Sequence, residues 1–220
     1  MYKLIKRLLD IVIALVALLL LSPILIPVMI LLKLTGEHEI FYLQKRMGYR
    51  NQSFYIWKFA TMLKNSPNLG AGIITLRNDP RVTPVGRFLR KTKINELPQL
   101  INVLKGDMSI VGPRPLLEAS YKLYSPEVQA RIYSNRPGLT GVGSIIFRDE
   151  EKLISEAPDP HQAYAAIYPY KGALEMWYID NQSLTVDLVL MFLTGWVILF
   201  PESPLAEKAL SNLPQRQLAV

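Results

Sequence analysis

From Ile11 to Leu32 the chain carries no charged side chain, and nearly every position is apolar. A hydrocarbon core about 30 Å thick takes roughly 20 apolar helical residues, so this run is long enough to span. It is not a signal peptide in pattern: the run is long, and Lys33 follows with no small-residue cleavage site. Ser22-Pro23 falls near its middle and Pro27 one turn later. Proline withholds an N–H from the carbonyl four residues back, and in lipid a Ser hydroxyl can take up that carbonyl. Two topologies follow, a kinked spanning helix or a helix–break–helix that enters and leaves on one face. The flanks are basic on both sides (Lys3, Lys6, Arg7; Lys33, Lys45, Arg46), which leans toward the same-face form without deciding it.

Past the apolar run the pattern changes period. Residues 36–60 are rich in β-formers, with Phe41, Tyr42, Phe54, Tyr55, Ile56 and Trp57 on either side of a turn at Gly48–Asn51, and predict a hairpin. Residues 65–80 read as a Gly/Asn/Pro loop, and 81–93 hold Arg81, Arg87, Arg90, Lys91 and Lys93 with no acid. Leu97, Leu100, Ile101 and Leu104 then predict a helix with one buried face, stopped at Gly106. "GDMSIVGPRP" is a loop with a short extended piece, 116–134 is helical, and "RPGLTGVGS" is a second Gly/Pro loop. Residues 183–200 are apolar apart from Asp187, which predicts a helix either buried or lying in the bilayer interface. Residues 204–220 read as a loosely ordered tail.

Composition narrows the chemistry. The 220 residues include no cysteine, which excludes a disulfide framework, a thiolate nucleophile and a cysteine metal site. The two histidines, His38 and His161, are too far apart in sequence to suggest a zinc cluster. A net charge of +7 favours anionic partners. No Walker loop, GxGxxG turn or aromatic-interleaved basic platform is present, so ATP, dinucleotide and nucleic-acid readings lack support.

The candidate chemistry sits in "KTKINELPQL", residues 91–100. Asn95 is a good N-cap and Glu96 a good first-turn residue, so both have a plain structural role. Yet a helix start attracts phosphate, and Arg87, Arg90, Lys91 and Lys93 immediately precede this one. A carboxylate among cations can hold Mg²⁺ together with substrate phosphates. Arg114 and Arg136, each followed by proline, are further phosphate-clamp candidates.

Three segments, residues 41–62, 78–115 and "RPGLTG" at 136–141, together resemble the bacterial sugar transferases, the monotopic phosphoglycosyl transferases. The resemblance covers nearly the whole chain. It implies an α+β, mainly helical fold: a re-entrant membrane helix broken at Ser22-Pro23 (1–35), a small cytoplasmic catalytic domain with a β-hairpin and interfacial helices (36–203), and a tail (204–220). It implies transfer of a phospho-sugar from a UDP-sugar to undecaprenyl phosphate, with Mg²⁺, at the cytoplasmic face of the bacterial inner membrane. Lipid bilayer and downstream glycosyltransferases would be the partners. Glu96 matches the family's Glu, as catalytic residue and metal ligand. Lys58 is a further catalytic candidate, with Asp79, Arg87, Arg90, Arg114 and Arg136 as substrate-binding residues.

The chain departs from the family at Ala60, where Arg is usual, at Ser144, where Gln is common, at Asn51, where Gly is common, and above all at Asn95. The family's nucleophile there is Asp. Four explanations stay open at this point: attack by Glu96, direct attack by the lipid phosphate, an inactive family member acting as a membrane-interface scaffold, and an introduced Asp→Asn change.

Overall fold

The computed structural model describes residues 1–66, 69, 75–76, 78–210 and 212–215. Among these residues the protein is mostly helical, with two small sheets and one long apolar N-terminal helix. That helix, α1, runs Tyr2–Leu34 without interruption. The expected break at Ser22-Pro23 is therefore not a break: Pro23 and Pro27 both lie inside the helix. The reason is visible at Leu19, whose carbonyl Pro23 cannot serve. Ser22 Oγ donates to Leu19 O at 2.7 Å and replaces the missing bond. Ser22→Ala should leave that carbonyl unpaired and cost about 1 kcal/mol, read as a lowered thermal midpoint in nanodiscs, whereas Ser22→Thr should be near neutral.

The hairpin forms as expected. Strands β1 (Phe41–Met47) and β2 (Ser53–Phe59) pair antiparallel, from Phe41 opposite Phe59 to Met47 opposite Ser53. Asn51 in the turn has φ 57°, the left-handed region that Asn tolerates in place of Gly. The basic stretch after the loop is a helix, α2 (Pro84–Lys91), started by Thr83 Oγ1 accepting from Gly86 N at 3.0 Å. Part of the expected 65–80 loop lies outside the described residues.

Helix α3 (Gln99–Lys105) ends at Gly106 with φ 93°, the predicted left-handed stop. It is wrapped more fully than its apolar spacing suggested, burying Gln99, Leu100, Asn102 and Val103. Strand β3 (Ser109–Val111) then pairs in parallel with β4 (Gly138–Thr140), so the two Gly/Pro loops that looked separate form one sheet. The crossover between them carries α4 (Glu118–Tyr121) and α5 (Pro126–Arg131). Gly138 is required by this contact: a Cβ there would lie 2.2 Å from Gly112 N.

After β4 come α6 (Val142–Ile146), α7 (Glu150–Ser155), α8 (Pro160–Ala166), α9 (Tyr168–Asn181) and α10 (Leu184–Leu199). α10 has one buried and one exposed apolar face. Leu190, Leu193 and Val197 enter the core, while Leu188, Phe192 and Leu199 form an exposed apolar row. Residues 205–210, expected as loose tail, instead form α11 (Leu205–Ala209), with Ala206 and Leu210 in the core; residues 216–220 lie outside the described ones.

Both ends of α1 are fastened to this body. Arg7 donates to the last carbonyls of α3, Val103 O at 2.7 Å and Leu104 O at 3.0 Å. Asp10, buried, accepts from Ile110 N of β3 at 2.9 Å. Asp187 of α10 receives Lys6 Nζ and Tyr2 OH, each at 2.8 Å. Toward the other end, Leu25 and Leu32 pack with Phe59 and Leu89. Between the two attachments Leu19 and Leu20 are among the most exposed side chains of the helix.

Candidate functional site

The site forms where β2 meets the turn before α3. Strand alternation puts Lys58 on the same hairpin face as Ile56, Gln44 and Arg46. Asn102 stitches α3 to this strand: its Oδ1 accepts from Trp57 N at 2.9 Å and its Nδ2 donates to Tyr55 O at 2.8 Å. Lys93 then turns the chain through φ 61° into the 3₁₀ turn Ile94–Glu96. The result brings Glu96 up against Lys58.

Glu96 Oε1 receives two cations, Lys58 Nζ at 3.0 Å and Arg114 Nη2 at 3.2 Å. Its Oε2 has no partner among the described residues. The Lys58 and Glu96 side chains are 16% and 17% exposed, and Arg114 is 38% exposed, so the cluster opens on the arginine side. Burial by itself would raise the Glu96 pKa, but the charges of Lys58 and Arg114 outweigh it and hold the carboxyl well below the usual range. Burial pushes Lys58 down to about 8, with the cations Arg46 and Arg114 adding to the shift and Glu96 opposing it. Arg46 is pushed down to about 10 by burial and by Arg114. The Arg114 pKa is raised, chiefly by Glu96. Two cations thus meet on one carboxylate with Arg46 close by, bonded to Gln44 Oε1 and Pro115 O, an excess of positive charge suited to phosphate oxygens.

The loop bearing Arg114 is held atom by atom. Gly112 N donates to Thr140 O at 2.9 Å, and Pro113 O accepts from Gly138 N at 2.8 Å. Tyr133 OH donates to Arg114 O at 2.9 Å and accepts from Leu116 N at 3.0 Å. Arg46 Nη1 donates to Pro115 O at 3.3 Å.

The other sequence candidates fall in different places. Asn95 is not the N-cap of the helix, which starts only after Pro98. It lies in the 3₁₀ turn, 6% exposed, with Oδ1 buried and unpartnered. Arg87 is exposed on α2, three residues from Arg90. Arg90 pairs with Glu151 and lies 3.9 Å from Met62 Sδ. Arg136 is not in the Glu96 cluster: its Nε donates to Gly106 O at 2.7 Å, and its guanidinium stands over the Tyr49 ring at 5.2 Å. Asp79 is likewise taken up elsewhere, in a buried bidentate pair with Arg81 at 2.6 to 3.1 Å. Arg46, which sequence reading treated only as a basic flank, belongs to the site. Its signal was period-two spacing on the hairpin face it shares with Lys58.

No group of three or more His, Cys, Asp or Glu is present among the described residues. A caged metal is therefore not what these residues fit. Mg²⁺ held largely by substrate phosphates and water would need few protein ligands, and Glu96 with the orphaned Asn95 Oδ1 would be the hard oxygen donors available to it.

Residues 1–201 match the family described as bacterial sugar transferase. The exopolysaccharide production protein ExoY of Sinorhizobium fredii is 37% identical over 203 residues, covering 86% of this chain and 83% of that protein. A UDP-N-acetylgalactosamine-undecaprenyl-phosphate N-acetylgalactosaminephosphotransferase of Aeromonas hydrophila is 36% identical over 200 residues, 90% of this chain and 44% of that protein. The undecaprenyl-phosphate galactose phosphotransferase of Salmonella typhimurium is 32% identical over 211 residues, 90% of this chain and 41% of that protein. With a family match over residues 1–201, the chain belongs to the bacterial sugar transferase family.

Proposed function

We propose that the protein transfers a sugar-1-phosphate from a UDP-sugar to undecaprenyl phosphate with release of UMP, beginning a lipid-linked glycan. The observation that carries this reading is the convergence of Lys58 and Arg114 on Glu96 Oε1, with Arg46 nearby on the loop that bears Arg114. Donor and acceptor are both phosphates, and cations placed where charge develops on a transferring phosphoryl group are the main source of rate in such reactions.

The lipid acceptor approaches from the bilayer. Both ends of α1 are docked on one body, with exposed apolar side chains between them, and this supports a same-face anchor over a span. The exposed row of α10 supplies a second apolar contact. The catalytic domain would then lie on the cytoplasmic face, where glycosyltransferases acting later in assembly could receive the product.

In the mechanism favoured here an oxygen of the lipid phosphate attacks the donor β-phosphorus directly. The bond from that phosphorus to the bridging oxygen breaks, and the oxygen leaves with UMP. The attacking oxyanion brings its own electron pair, so no base is needed. That suits a Glu96 carboxyl whose low pKa makes it a poor proton acceptor. Lys58 and Arg114 take the charge on the transferring group, and Glu96 fixes both cations in place. Mg²⁺, held by Glu96 Oε2, Asn95 Oδ1 and phosphate oxygens, would neutralise the diphosphate. Asn95 is an amide and offers no nucleophile.

The test is a burst experiment without lipid. The native chain should release no UMP from UDP-sugar alone, whereas Asn95→Asp should release up to one UMP per protein and retain a covalent phospho-sugar. A burst from the native chain would replace direct transfer by attack from Glu96. The alternative of a catalytically inactive scaffold predicts no turnover from the native chain even with lipid, and turnover from Asn95→Asp.

A further inference from the structure

Glu175 is a second buried carboxylate beside Arg114, and nothing in the reaction above uses it. It sits on α9 and is 1% exposed. Its Oε1 is 3.5 Å from Arg114 N, a long contact, and its Oε2 is buried with no hydrogen-bond partner. The nearest cation on its own helix, Lys171, reaches instead to Glu150 Oε2 at 2.9 Å. Gly143 of α6 leaves the space it occupies, since a Cβ there would lie 2.5 Å from Glu175 Oε1.

The backbone of this segment explains the placement. Arg114 stands between two prolines, so its N–H is the one amide donor in residues 113–115. Gly112 N, Pro113 O, Arg114 O and Leu116 N each have a neutral partner, and Pro115 O has Arg46. Arg114 N alone faces a carboxylate. An unpaired buried carboxylate oxygen is costly, so its retention calls for a reason.

We propose that Glu175 is a positioning residue whose buried carboxylate holds the Arg114 peptide from behind and so aims the Arg114 guanidinium at Glu96 and the donor phosphate. This rests on the phosphoglycosyl transfer reading. Burial raises the Glu175 pKa to about 7, opposed by the Arg114 N–H and the charges of Lys171 and Arg114. The groups facing it are therefore Arg114, Lys171 with its partner Glu150, and the phenols of Tyr124 and Tyr133. As pH falls through that value Glu175 gains a proton and loses its hold on the amide.

The sign for stability is opposite. A carboxyl whose folded pKa is raised holds its proton more tightly in the folded state, so stability falls as pH rises from the ordinary range through about 7. Glu175→Gln, nearly isosteric, should abolish this loss.

The experiment compares native protein and Glu175→Gln in nanodiscs by three readouts: turnover from pH 5.5 to 8.5, thermal midpoint at both ends of that range, and hydrogen exchange of the Arg114 segment. Glu175→Gln is expected to lower kcat by roughly ten- to a hundred-fold, to remove the acid limb near pH 7, and to melt higher relative to the native chain at pH 8.5 than at 5.5. Unchanged kcat with the acid limb retained overturns the proposal. So does a parallel loss of activity and midpoint at both pH values. If the native chain turns over no UDP-sugar, the phosphoglycosyl reading fails, and exchange decides for Glu175. Faster exchange of the Arg114 amide, with the rest of α9 still protected, supports its placement, and unchanged exchange overturns it.

Discussion

Glu96→Gln should lower sugar-phosphate transfer by on the order of 10³-fold while leaving the protein folded. Glu96 Oε1 is the common acceptor of Lys58 and Arg114, and Oε2 is the open carboxylate oxygen. The amide is the same size, so packing around the Ile94–Glu96 turn is kept. What is lost is the charge that keeps two cations converged and Lys58 protonated. Burial already pulls Lys58 to about 8, and Glu96 is what opposes that pull. In the native chain turnover should accordingly fall above about pH 8 as Lys58 gives up its proton. In Glu96→Gln the residual activity should lose that limb to lower pH. Steady-state kinetics across pH, with circular dichroism to confirm folding, makes the check. A variant with kcat within a few-fold of native would remove Glu96 from the centre of the mechanism.

The second large effect is structural. Asp187→Ala should destabilise the protein by about 3–5 kcal/mol. The Asp187 carboxylate takes Lys6 and Tyr2 from α1 on Oδ2 and Tyr178 of α9 on Oδ1 at 2.6 Å. The Lys6 and Asp187 side chains are only 16% and 7% exposed, so truncation leaves a covered ammonium without its counter-charge. The damage should concentrate at the start of α1. Limited proteolysis near Lys3, Lys6 and Arg7 should speed up before the core opens, alongside a lowered denaturant midpoint. Asp187→Asn, which keeps an acceptor for Tyr178, should cost less. A loss below about 1 kcal/mol would mean that Arg7 and Asp10 carry the docking without it.

These two sites differ in how much of them the sequence discloses. Glu96, Lys58 and Arg114 could be named from the resemblance, and the hairpin that carries Lys58 from its β-formers and turn. Arg46 needed the hairpin register, a step beyond composition. Local rules worked where the cause is local: Asn51 and Gly106 take left-handed backbone where the turn and the helix end require it. Ser22 repairs the carbonyl that Pro23 strands, inside a helix that runs on through the expected break.

Local rules failed where a partner distant in sequence decides. Asn95 is a good cap by type, but the helix starts after Pro98, and the amide is folded into the site. Arg114 and Arg136 each precede a proline and look alike in sequence, yet parallel pairing of β3 with β4 sends only Arg114 to Glu96. Glu175 and Lys171 are charged residues, a type that helices usually leave outside, and both are buried. Asp187 was legible only as an interruption of an apolar run. Its role needs α1, α9 and α10 together.

The measurement that bears most directly on the central claim is acceptor-dependent UMP formation by the native chain. Purified protein in nanodiscs would receive Mg²⁺, undecaprenyl phosphate and each of a panel of UDP-sugars, with the lipid product identified by mass spectrometry. The expected result is UMP formed with one sugar or a few, only when the lipid is present, in equal amount with an undecaprenyl diphosphate sugar. No UMP with any sugar, from protein that is folded and lipid-bound, would contradict it.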